Sequence, residues 1–196
     1  MIKRVFDIFF SLMGLIILSP ALLIIAIIIK SDSKGPVIYK QLRVGKGNRD
    51  FTLLKFRTMR SDSDKDGLLT VGGKDPRITP AGYFLRKYKL DELPQLYNIL
   101  KGDMSFVGPR PEVRKYVELY DDRQKKVLEV CPGLTDIASI KYRNESELLK
   151  EAKDPEEFYI KEIIPDKIRL NLEYINDNSL FKDVKVILKT FKAIIS

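Results

Sequence analysis

The sequence contains no histidine and a single cysteine, Cys131. The lack of histidine excludes Ser-His-Asp and Cys-His catalysis and histidine-ligated zinc. One cysteine allows neither an intramolecular disulfide nor a thiolate metal cluster. Any acid, base or nucleophile must therefore be Asp, Glu, Lys, Tyr, Ser or this one Cys. A metal would be a hard cation held by oxygen ligands, with Mg2+ as the leading candidate.

The composition is that of a globular domain, with 44% hydrophobic and 32% charged residues in 196. The net charge of +8 is concentrated in residues 1–60, which carry eleven Lys or Arg and three Asp, while the remainder is neutral. Because this excess flanks an apolar segment, it indicates an anionic lipid surface or a phosphate-bearing substrate. A nucleic-acid partner is not expected, since a high pI alone does not make a binding face.

The apolar segment runs from Val5 to Ile29, and Asp7 is its only charged residue. Its 25 residues are enough to cross a bilayer, and it is too long for a cleaved signal peptide. The sequence therefore predicts association with a membrane.

Two paths through the membrane fit this segment. A single spanning helix is the simpler one. However, Pro20 removes one helical hydrogen bond in mid-segment, and the Ser19 hydroxyl can bond the freed backbone, so a kink is expected. Lys and Arg also occur at both ends of the segment. This distribution favours two cytoplasmic ends and hence a re-entrant helix-break-helix. The residues alone leave both paths open.

The rest of the chain reads as a short β-hairpin followed by helices. The strands are predicted at Val37–Tyr39 and Phe51–Phe56, joined by a Gly-rich turn. Residues 61–76 are polar and Gly-rich and predict a mobile loop near the site. Helical patterns occur at Pro80–Lys87, Asp91–Lys101, 112–130, 145–153, 155–176 and Leu180–Ile195. The last is basic and amphipathic, typical either of a membrane-surface helix or of an ordinary terminal helix with a solvated lysine face.

The segment with the clearest chemical potential is Asp91-Glu92-Leu93-Pro94-Gln95. By itself it is an ordinary helix start, with Asp91 as the N-cap. Arg77, Arg86 and Arg110 lie near it in sequence, and Lys55 and Arg57 lie upstream. Guanidinium groups match phosphate oxygens in geometry and charge, and a carboxylate among them could attack phosphorus.

Ordered motifs across residues 1–135 carry a resemblance. They include Lys3-Arg4 with Asp7, Ser19-Pro20, Gly35-Pro36-Val37, Lys40 to Gly45, Lys55 to Met59, Asp75 to Thr79, Phe84 to Lys87, Leu90 to Gln95 and Leu100 to Pro111. In these motifs the chain resembles the bacterial sugar transferase family, the small monotopic phosphoglycosyltransferases. After Thr135 the pattern departs from that of many relatives, which leaves the identity of the sugar open.

The resemblance implies an α+β, mostly helical fold. Residues 1–30 would form a re-entrant membrane helix bent at Ser19 and Pro20. Residues 31–196 would form one cytosolic, membrane-associated catalytic domain with a short β-hairpin and a C-terminal amphipathic helix. The expected location is the cytoplasmic face of the bacterial inner membrane.

The resemblance also implies the chemistry. Asp91 would attack the β-phosphate of a UDP-sugar and release UMP, and polyprenyl phosphate would then take the sugar phosphate from the enzyme. Glu92 would bind Mg2+ or orient the site, and Arg86 and Arg110 would hold phosphate groups, with Lys55, Arg57 and Arg77 as further candidates. The sequence does not exclude exchanged roles for Asp91 and Glu92, or Asp91 as a general base.

The expected partners are a UDP-sugar, polyprenyl phosphate and inner-membrane lipid. A homodimer and contacts with downstream glycosyltransferases are further hypotheses. Two alternative functions stay open at this stage. One is a glycosyltransferase that moves the sugar alone and releases UDP, and the other is an inactive scaffold of a glycan-assembly complex.

Overall fold

The computed structural model describes residues 2–61, 69–72 and 75–195. Most of the loop predicted at 61–76 therefore lies outside the described residues. Helix α1 spans Ile2–Asp32, and its 31 residues correspond to about 46 Å of helix. Within the described ranges, α1 is the one helix long and apolar enough to cross a membrane.

Helix α1 continues through Ser19-Pro20 without interruption, so the predicted helix break is not seen. The Ser19 hydroxyl donates a 2.8 Å hydrogen bond to the carbonyl of Ile16, the group that loses its donor to Pro20. This bond compensates the proline within a continuous helix. Large apolar side chains remain exposed along the helix, among them Ile16, Ile17, Leu23, Ile24 and Ile27.

The predicted β-hairpin is confirmed. Strands β1 (Ile38–Val44) and β2 (Asp50–Phe56) pair antiparallel, from Ile38 opposite Phe56 to Val44 opposite Asp50. β1 is longer than the sequence predicted. A short 3-10 turn at Lys46–Asn48 joins the strands, and Gly47 adopts the positive φ of 68° that this turn requires.

Two short helices follow. The first has the predicted bounds, whereas the second begins at Gln95 and not at the predicted Asp91, which lies in a 3-10 turn and is not its N-cap. Pro94 has no amide hydrogen with which to continue an α-helix through this turn. Helix α2 (Pro80–Lys87) starts at Thr79, whose hydroxyl accepts a hydrogen bond from the amide of Gly82. A 3-10 turn at Leu90–Glu92 leads into α3 (Gln95–Lys101), which ends at Gly102 with φ of 102°.

A parallel strand pair was not predicted. Strands β3 (Ser105–Val107) and β4 (Gly133–Thr135) pair although they are far apart in sequence. The backbones of Gly108 and Gly133 approach so closely that a Cβ on either residue would overlap backbone atoms of the facing segment. This contact fixes the Gly108-Pro109-Arg110-Pro111 turn against β4.

The predicted helix at 112–130 is wrong as one element. The structure has α4 at Arg114–Val117 and a separate 3-10 turn at Gln124–Glu129. Asp121 and Gln124 exchange reciprocal hydrogen bonds between side chain and backbone, 2.7 and 2.9 Å long. Such a pair starts a new helical turn, which interrupts the first one.

The helices predicted at 145–153 and Leu180–Ile195 are confirmed, the segment 155–176 is helical but divided into three consecutive elements, and a short helix at Ile137–Lys141 was not predicted. The elements are α5 (Ile137–Lys141), α6 (Glu145–Glu151), α7 (Pro155–Phe158), a π-helical turn (Tyr159–Ile163), α8 (Ile164–Asn176) and α9 (Leu180–Ile195). On α9, Asp183 and Val186 are buried, whereas Phe181, Leu188 and Phe191 are exposed. This helix is amphipathic, as expected.

The main apolar core joins β1 to the C-terminal helices. Its buried members are Val44, Val113, Tyr116, Val117, Tyr120, Val127, Leu149, Tyr159, Ile163, Ile164 and Ile168. A second cluster packs Ile25 and Ile29 of α1 against Phe56 of β2 and Leu85 of α2. A third brings Leu15 and Leu18 of α1 against Leu96 and Ile99 of α3.

Both ends of α1 are also held by polar contacts. At the start, Arg4 donates to the carbonyls of Ile99 and Leu100 at 2.6 and 2.8 Å, and Lys3 forms a 2.7 Å ion pair with Asp183. At the other end, Arg57 donates to the carbonyls of Ile29 and Ser33. The helix therefore lies along the rest of the protein over its full length.

The close approach of Gly108 and Gly133 predicts a large cost for an added methyl group. Gly133→Ala should lower the free energy of unfolding by about 3 kcal/mol, because the clash involves backbone that cannot rotate away. Gly47→Ala is the matched control, since a Cβ there meets nothing within 4 Å. Its cost should be about 1 kcal/mol, from the positive φ alone. Thermal unfolding in detergent, followed by far-UV circular dichroism, measures both, and equal costs would contradict the packing.

Candidate active site

The two neighbouring acids lie on a tight turn between α2 and α3. Lys89 precedes them in the left-handed conformation, with φ of 56°, and this ends α2 and starts the 3-10 turn at Leu90–Glu92. Non-glycine residues in this conformation are uncommon and mildly strained. Asp91 and Glu92 are each only 6% exposed. The turn thus holds two carboxylates in the protein interior.

Glu92 is held by two cations from other parts of the chain. Arg110 forms a two-pronged ion pair with it, one nitrogen donating to Oε1 and the other to Oε2 at 3.2 Å. Lys55 of β2 lies 3.4 Å from Oε1. A two-pronged guanidinium–carboxylate pair fixes orientation as well as charge.

Arg110 owes its position to the turn after β3 and to a buried acid. Its backbone amide donates a 3.1 Å hydrogen bond to Oδ2 of Asp136. Asp136 is 1% exposed and also accepts from Asn171 of α8 at 2.8 Å and from the amide of Ser139 at 2.6 Å. Helix α8 is thereby connected to the centre through Asp136 and Arg110.

The neighbouring acids have opposite electrostatic environments. Burial opposes charge on Glu92, but the positive charges of Arg110, Lys55 and Lys89 outweigh it and hold the pKa of Glu92 well below its usual range. For Asp91, burial and then the negative charge of Glu92 raise the pKa. Burial also lowers the pKa of Lys55 to about 8, although Glu92 raises it.

Asp91 also has unused hydrogen-bonding capacity. Among the described residues, its Oδ1 atom is buried and has no hydrogen-bond partner. A buried acceptor without a partner costs about 1–3 kcal/mol. Such an arrangement is typical of a group that is completed by a ligand. Asp91 is therefore the carboxylate available for chemistry, whereas Glu92 is engaged by its neighbours.

The structure brings together Lys55, Asp91, Glu92 and Arg110 from the residues predicted by sequence. Arg86 of α2 lies close enough for its charge to lower the pKa of Asp91, and it donates a 2.9 Å hydrogen bond to the hydroxyl of Thr70. These five residues make up the candidate centre.

Two other predicted phosphate ligands are engaged differently. Arg57 is 6% exposed and binds carbonyl groups at the C-terminal end of α1. Arg77 forms a 2.6 Å ion pair with Asp75 and donates to the carbonyl of Leu69. Their roles as phosphate ligands stay predictions. In the structure Arg57 binds the end of a helix, and Arg77 binds Asp75 and Leu69.

The residues predicted to form the membrane bend, Ser19 and Pro20, lie within the continuous helix α1.

A magnesium ion would find oxygen ligands here. Within the described ranges, no group of three or more His, Cys, Asp and Glu side chains gathers as a metal site. However, Mg2+ is commonly held by one or two carboxylates together with substrate phosphate oxygens and water. The unpartnered Oδ1 of Asp91 and the Oε2 of Glu92, which accepts one hydrogen bond from Arg110, fit that ligand set.

Asp136 was missed as a site residue in the sequence. It directly follows the Pro-Gly-Leu-Thr stretch, and an acid at that position is explained by helix capping alone. Asp136 does cap α5. Only the parallel pairing of β3 with β4 shows that the same carboxylate reaches Arg110.

The opposite environments of the two acids predict opposite effects on stability. Glu92→Gln should cost about 3 kcal/mol, because it removes a buried carboxylate that is paired with two partly buried cations and leaves them without their counter-charge. Asp91→Asn should leave stability unchanged or higher at neutral pH, because it removes a charge that burial disfavours.

The raised pKa of Asp91 determines how the difference in stability between Asp91→Asn and the wild type changes with pH. The gain from Asp91→Asn is present above the folded-state pKa and shrinks toward zero as the pH falls to the unfolded value of about 3.9, where Asp91 is protonated in both states. Thermal unfolding of both variants across pH tests this. A large loss of stability in Asp91→Asn at neutral pH would refute the assignment.

Comparison with known proteins places the chain among sugar transferases. The profile described as "Bacterial sugar transferase" matches residues 1–196. A UDP-N-acetylgalactosamine-undecaprenyl-phosphate N-acetylgalactosaminephosphotransferase of Aeromonas hydrophila is 38% identical over 198 residues, covering 100% of this chain and 44% of that protein. A UDP-glucose:undecaprenyl-phosphate glucose-1-phosphate transferase of Klebsiella pneumoniae is 37% identical over 199 residues, covering 99% and 40%.

A shorter relative is the putative undecaprenyl-phosphate N-acetylgalactosaminyl 1-phosphate transferase of Bacillus subtilis. It is 48% identical over 134 residues, which are 68% of this chain and 71% of that protein. The chain thus spans less than half of the length of the two larger relatives. The match nevertheless extends over every element described above, from α1 to α9. The chain belongs to the bacterial sugar transferase family.

Proposed function

We propose that the chain is a phosphoglycosyltransferase, which moves a sugar 1-phosphate from a UDP-sugar to polyprenyl phosphate and releases UMP. The observation that carries the proposal is Asp91, a buried carboxylate with an unpartnered oxygen beside the Glu92–Arg110–Lys55 cluster. The relatives are named for transfers to undecaprenyl phosphate, from UDP-N-acetylgalactosamine in one case and UDP-glucose in another, which supports the same substrate class.

The first step forms a covalent enzyme. An oxygen of Asp91 attacks the β-phosphorus of the UDP-sugar and forms an O–P bond, while the bond from that phosphorus to the bridging oxygen breaks. The electron pair leaves with UMP, and the sugar phosphate stays on Asp91 as an acyl phosphate.

The second step restores the enzyme. An oxygen of polyprenyl phosphate attacks the same phosphorus, and the bond between Asp91 and phosphorus breaks. The products are polyprenyl diphosphate sugar and the free carboxylate. Both steps take place at the same phosphorus, with Asp91 as the nucleophile in the first and the leaving group in the second, so a single centre serves both substrates.

The surrounding charges suit these steps. An anionic nucleophile must approach an anionic diphosphate, and fixed positive charge reduces the repulsion. Arg110 and Lys55 hold Glu92 and leave Asp91 as the reactive acid. Arg86, whose charge acts on Asp91, is the candidate to hold the phosphate groups. Glu92 would hold Mg2+ together with phosphate oxygens, and the ion would supply further positive charge against the diphosphate.

We further propose that α1 is re-entrant, bent at Ser19-Pro20 without loss of helical structure, and that the protein lies on the cytoplasmic face of the bacterial inner membrane. The contacts at both ends of α1 support this. Lys3 and Arg4 bind Asp183 and α3 at one end, and Arg57 binds Ile29 and Ser33 at the other. If α1 crossed the bilayer, one of its ends would lie on the far side of the membrane and could not contact the rest of the protein. A homodimer and contacts with downstream glycosyltransferases stay predictions.

The reaction class is tested by the nucleotide that the protein releases. Purified protein in detergent, with Mg2+, undecaprenyl phosphate and a panel of UDP-sugars, should release UMP with at least one donor. Asp91→Asn should abolish release, because an amide cannot supply the nucleophilic oxygen. Release of UDP would indicate transfer of the sugar alone, and absence of any nucleotide with every donor would favour a scaffold.

The path of α1 is tested by labelling cysteines near its two ends. In a Cys131→Ser background, Ile2→Cys and Lys34→Cys place thiols at two exposed positions. A membrane-impermeant maleimide should label neither in intact spheroplasts and both after permeabilisation. If one of the two reacts in intact spheroplasts, α1 spans the membrane and the re-entrant path is refuted.

A further inference from the structure

Gln95, the first residue of α3, is a buried amide with unused hydrogen-bonding capacity. It is 1% exposed, and its Nε2 atom has no hydrogen-bond partner in the part of the chain that the structure describes. Neither the proposed nucleophile nor the charge cluster around Glu92 accounts for this donor. Its chemistry is specific: a neutral N–H group that requires an acceptor.

Gln95 lies about one helical turn after Asp91. Leu93 and Pro94 have helical backbone angles, and the amide of Leu93 bonds the carbonyl of Leu90, which is the spacing of a 3-10 turn. At about 3.0 to 3.6 residues per turn, four residues make slightly more than one turn. The unpartnered donor of Gln95 and the unpartnered acceptor of Asp91 are therefore on successive turns of one short segment.

Poor packing of α3 does not explain the unpartnered donor. Asn98, three residues later, is also buried at 2% exposure. Its oxygen accepts from the amide of Leu54 at 3.0 Å, and its nitrogen donates to the carbonyl of Thr52 at 2.8 Å. The same helix thus satisfies one buried amide completely and leaves the other with a free N–H group.

An unpartnered buried donor lowers stability unless a ligand completes it. The two acids of the site can only accept hydrogen bonds when ionised, and so can the oxygens of a phosphoryl group. A phosphoryl oxygen above Asp91 is therefore the acceptor that Gln95 lacks. The amide carries no charge, so it can contact that oxygen without pairing with the Asp91 carboxylate as a cation would.

We propose that Gln95 is a further catalytic residue, whose Nε2 donates a hydrogen bond to a non-bridging oxygen of the phosphoryl group that Asp91 attacks. This inference rests on the proposed function. The hydrogen bond forms no covalent link and moves no proton. It holds the phosphoryl group in line with Asp91 in both transfer steps and strengthens as charge builds on the transferred oxygens.

The test compares two substitutions that remove a buried amide from α3. Gln95→Met keeps length and flexibility but removes the donor, and Asn98→Leu removes an amide whose bonds are complete. Gln95→Met should lower kcat for UMP release by about 100-fold, as removal of one transition-state donor does, with a smaller change in KM for the UDP-sugar. Its Tm should stay equal to that of the wild type or rise, because no internal hydrogen bond is lost.

Asn98→Leu should behave in the opposite way. Its Tm should fall by several degrees, because it strands the backbone groups of Thr52 and Leu54, while turnover per folded molecule should be retained. Wild type and Asp91→Asn are assayed alongside. Lack of UMP release by the wild type overturns the proposed function and this inference together.

With an active wild type and an inactive Asp91→Asn, the result for Gln95→Met decides the inference alone. Turnover equal to that of the wild type would overturn it, since the donor would then have no part in transfer. A fall in Tm like that of Asn98→Leu, with kcat per folded molecule unchanged, would show that Gln95 is structural and would overturn it as well.

Discussion

The arrangement of the site depends on the ion pair between Glu92 and Arg110, together with Lys55. The three residues come from the turn before α3, the turn after β3 and strand β2, so each of these elements must be in place for the cluster to form. Because the cations satisfy Glu92, its pKa is held low and it stays ionised. The negative charge of Glu92, added to burial, then raises the pKa of Asp91. Adjacent acids of similar intrinsic acidity acquire distinct properties in this way.

Three consecutive residues, the last two of β2 and the one that follows it, link the site to the apolar helix. Lys55 contacts Glu92, Phe56 packs in the cluster with Ile25 and Ile29, and Arg57 binds the carbonyls at the end of α1. One short segment thus joins the charge cluster to the helix. This proximity suits the proposed acceptor, because polyprenyl phosphate carries its phosphate at the surface of a membrane. The two basic residues of this segment, Lys55 and Arg57, accordingly make different contacts.

The sequence predicted the local elements better than the contacts between distant segments. Alternation and turn residues were sufficient for the hairpin, and capping and periodicity for α2 and for the end of α3 at Gly102, but not for the start of α3. The pairing of β3 with β4 involves three residues on each side and depends on tertiary contacts between Gly108 and Gly133, which no local pattern reveals. The periodicity at 112–130 continues past Asp121 and therefore predicts one helix, whereas local side-chain bonds at Asp121 start a new turn.

For the site, too, the sequence indicated the residue types but not the contacts between distant residues. The residue types around Asp91 indicated phosphate chemistry, and the structure gathers Lys55, Glu92 and Arg110 as one cluster. Charge alone could not distinguish an arginine that caps a helix, such as Arg57, from one that binds a substrate. Asp136 and Gln95 were not identified because their significance lies in a bond to Arg110 in one case and in a missing partner in the other.

The most direct test of this account is to locate the covalent intermediate. The protein is incubated with its UDP-sugar donor and Mg2+ without polyprenyl phosphate, quenched, digested and analysed by mass spectrometry. The account predicts a sugar phosphate on the peptide that contains Asp91 and Glu92, with fragmentation placing it on Asp91. A sugar phosphate on Glu92 or on any other residue would contradict the division of roles between the two acids. Release of UMP without any covalent species would contradict the two-step transfer.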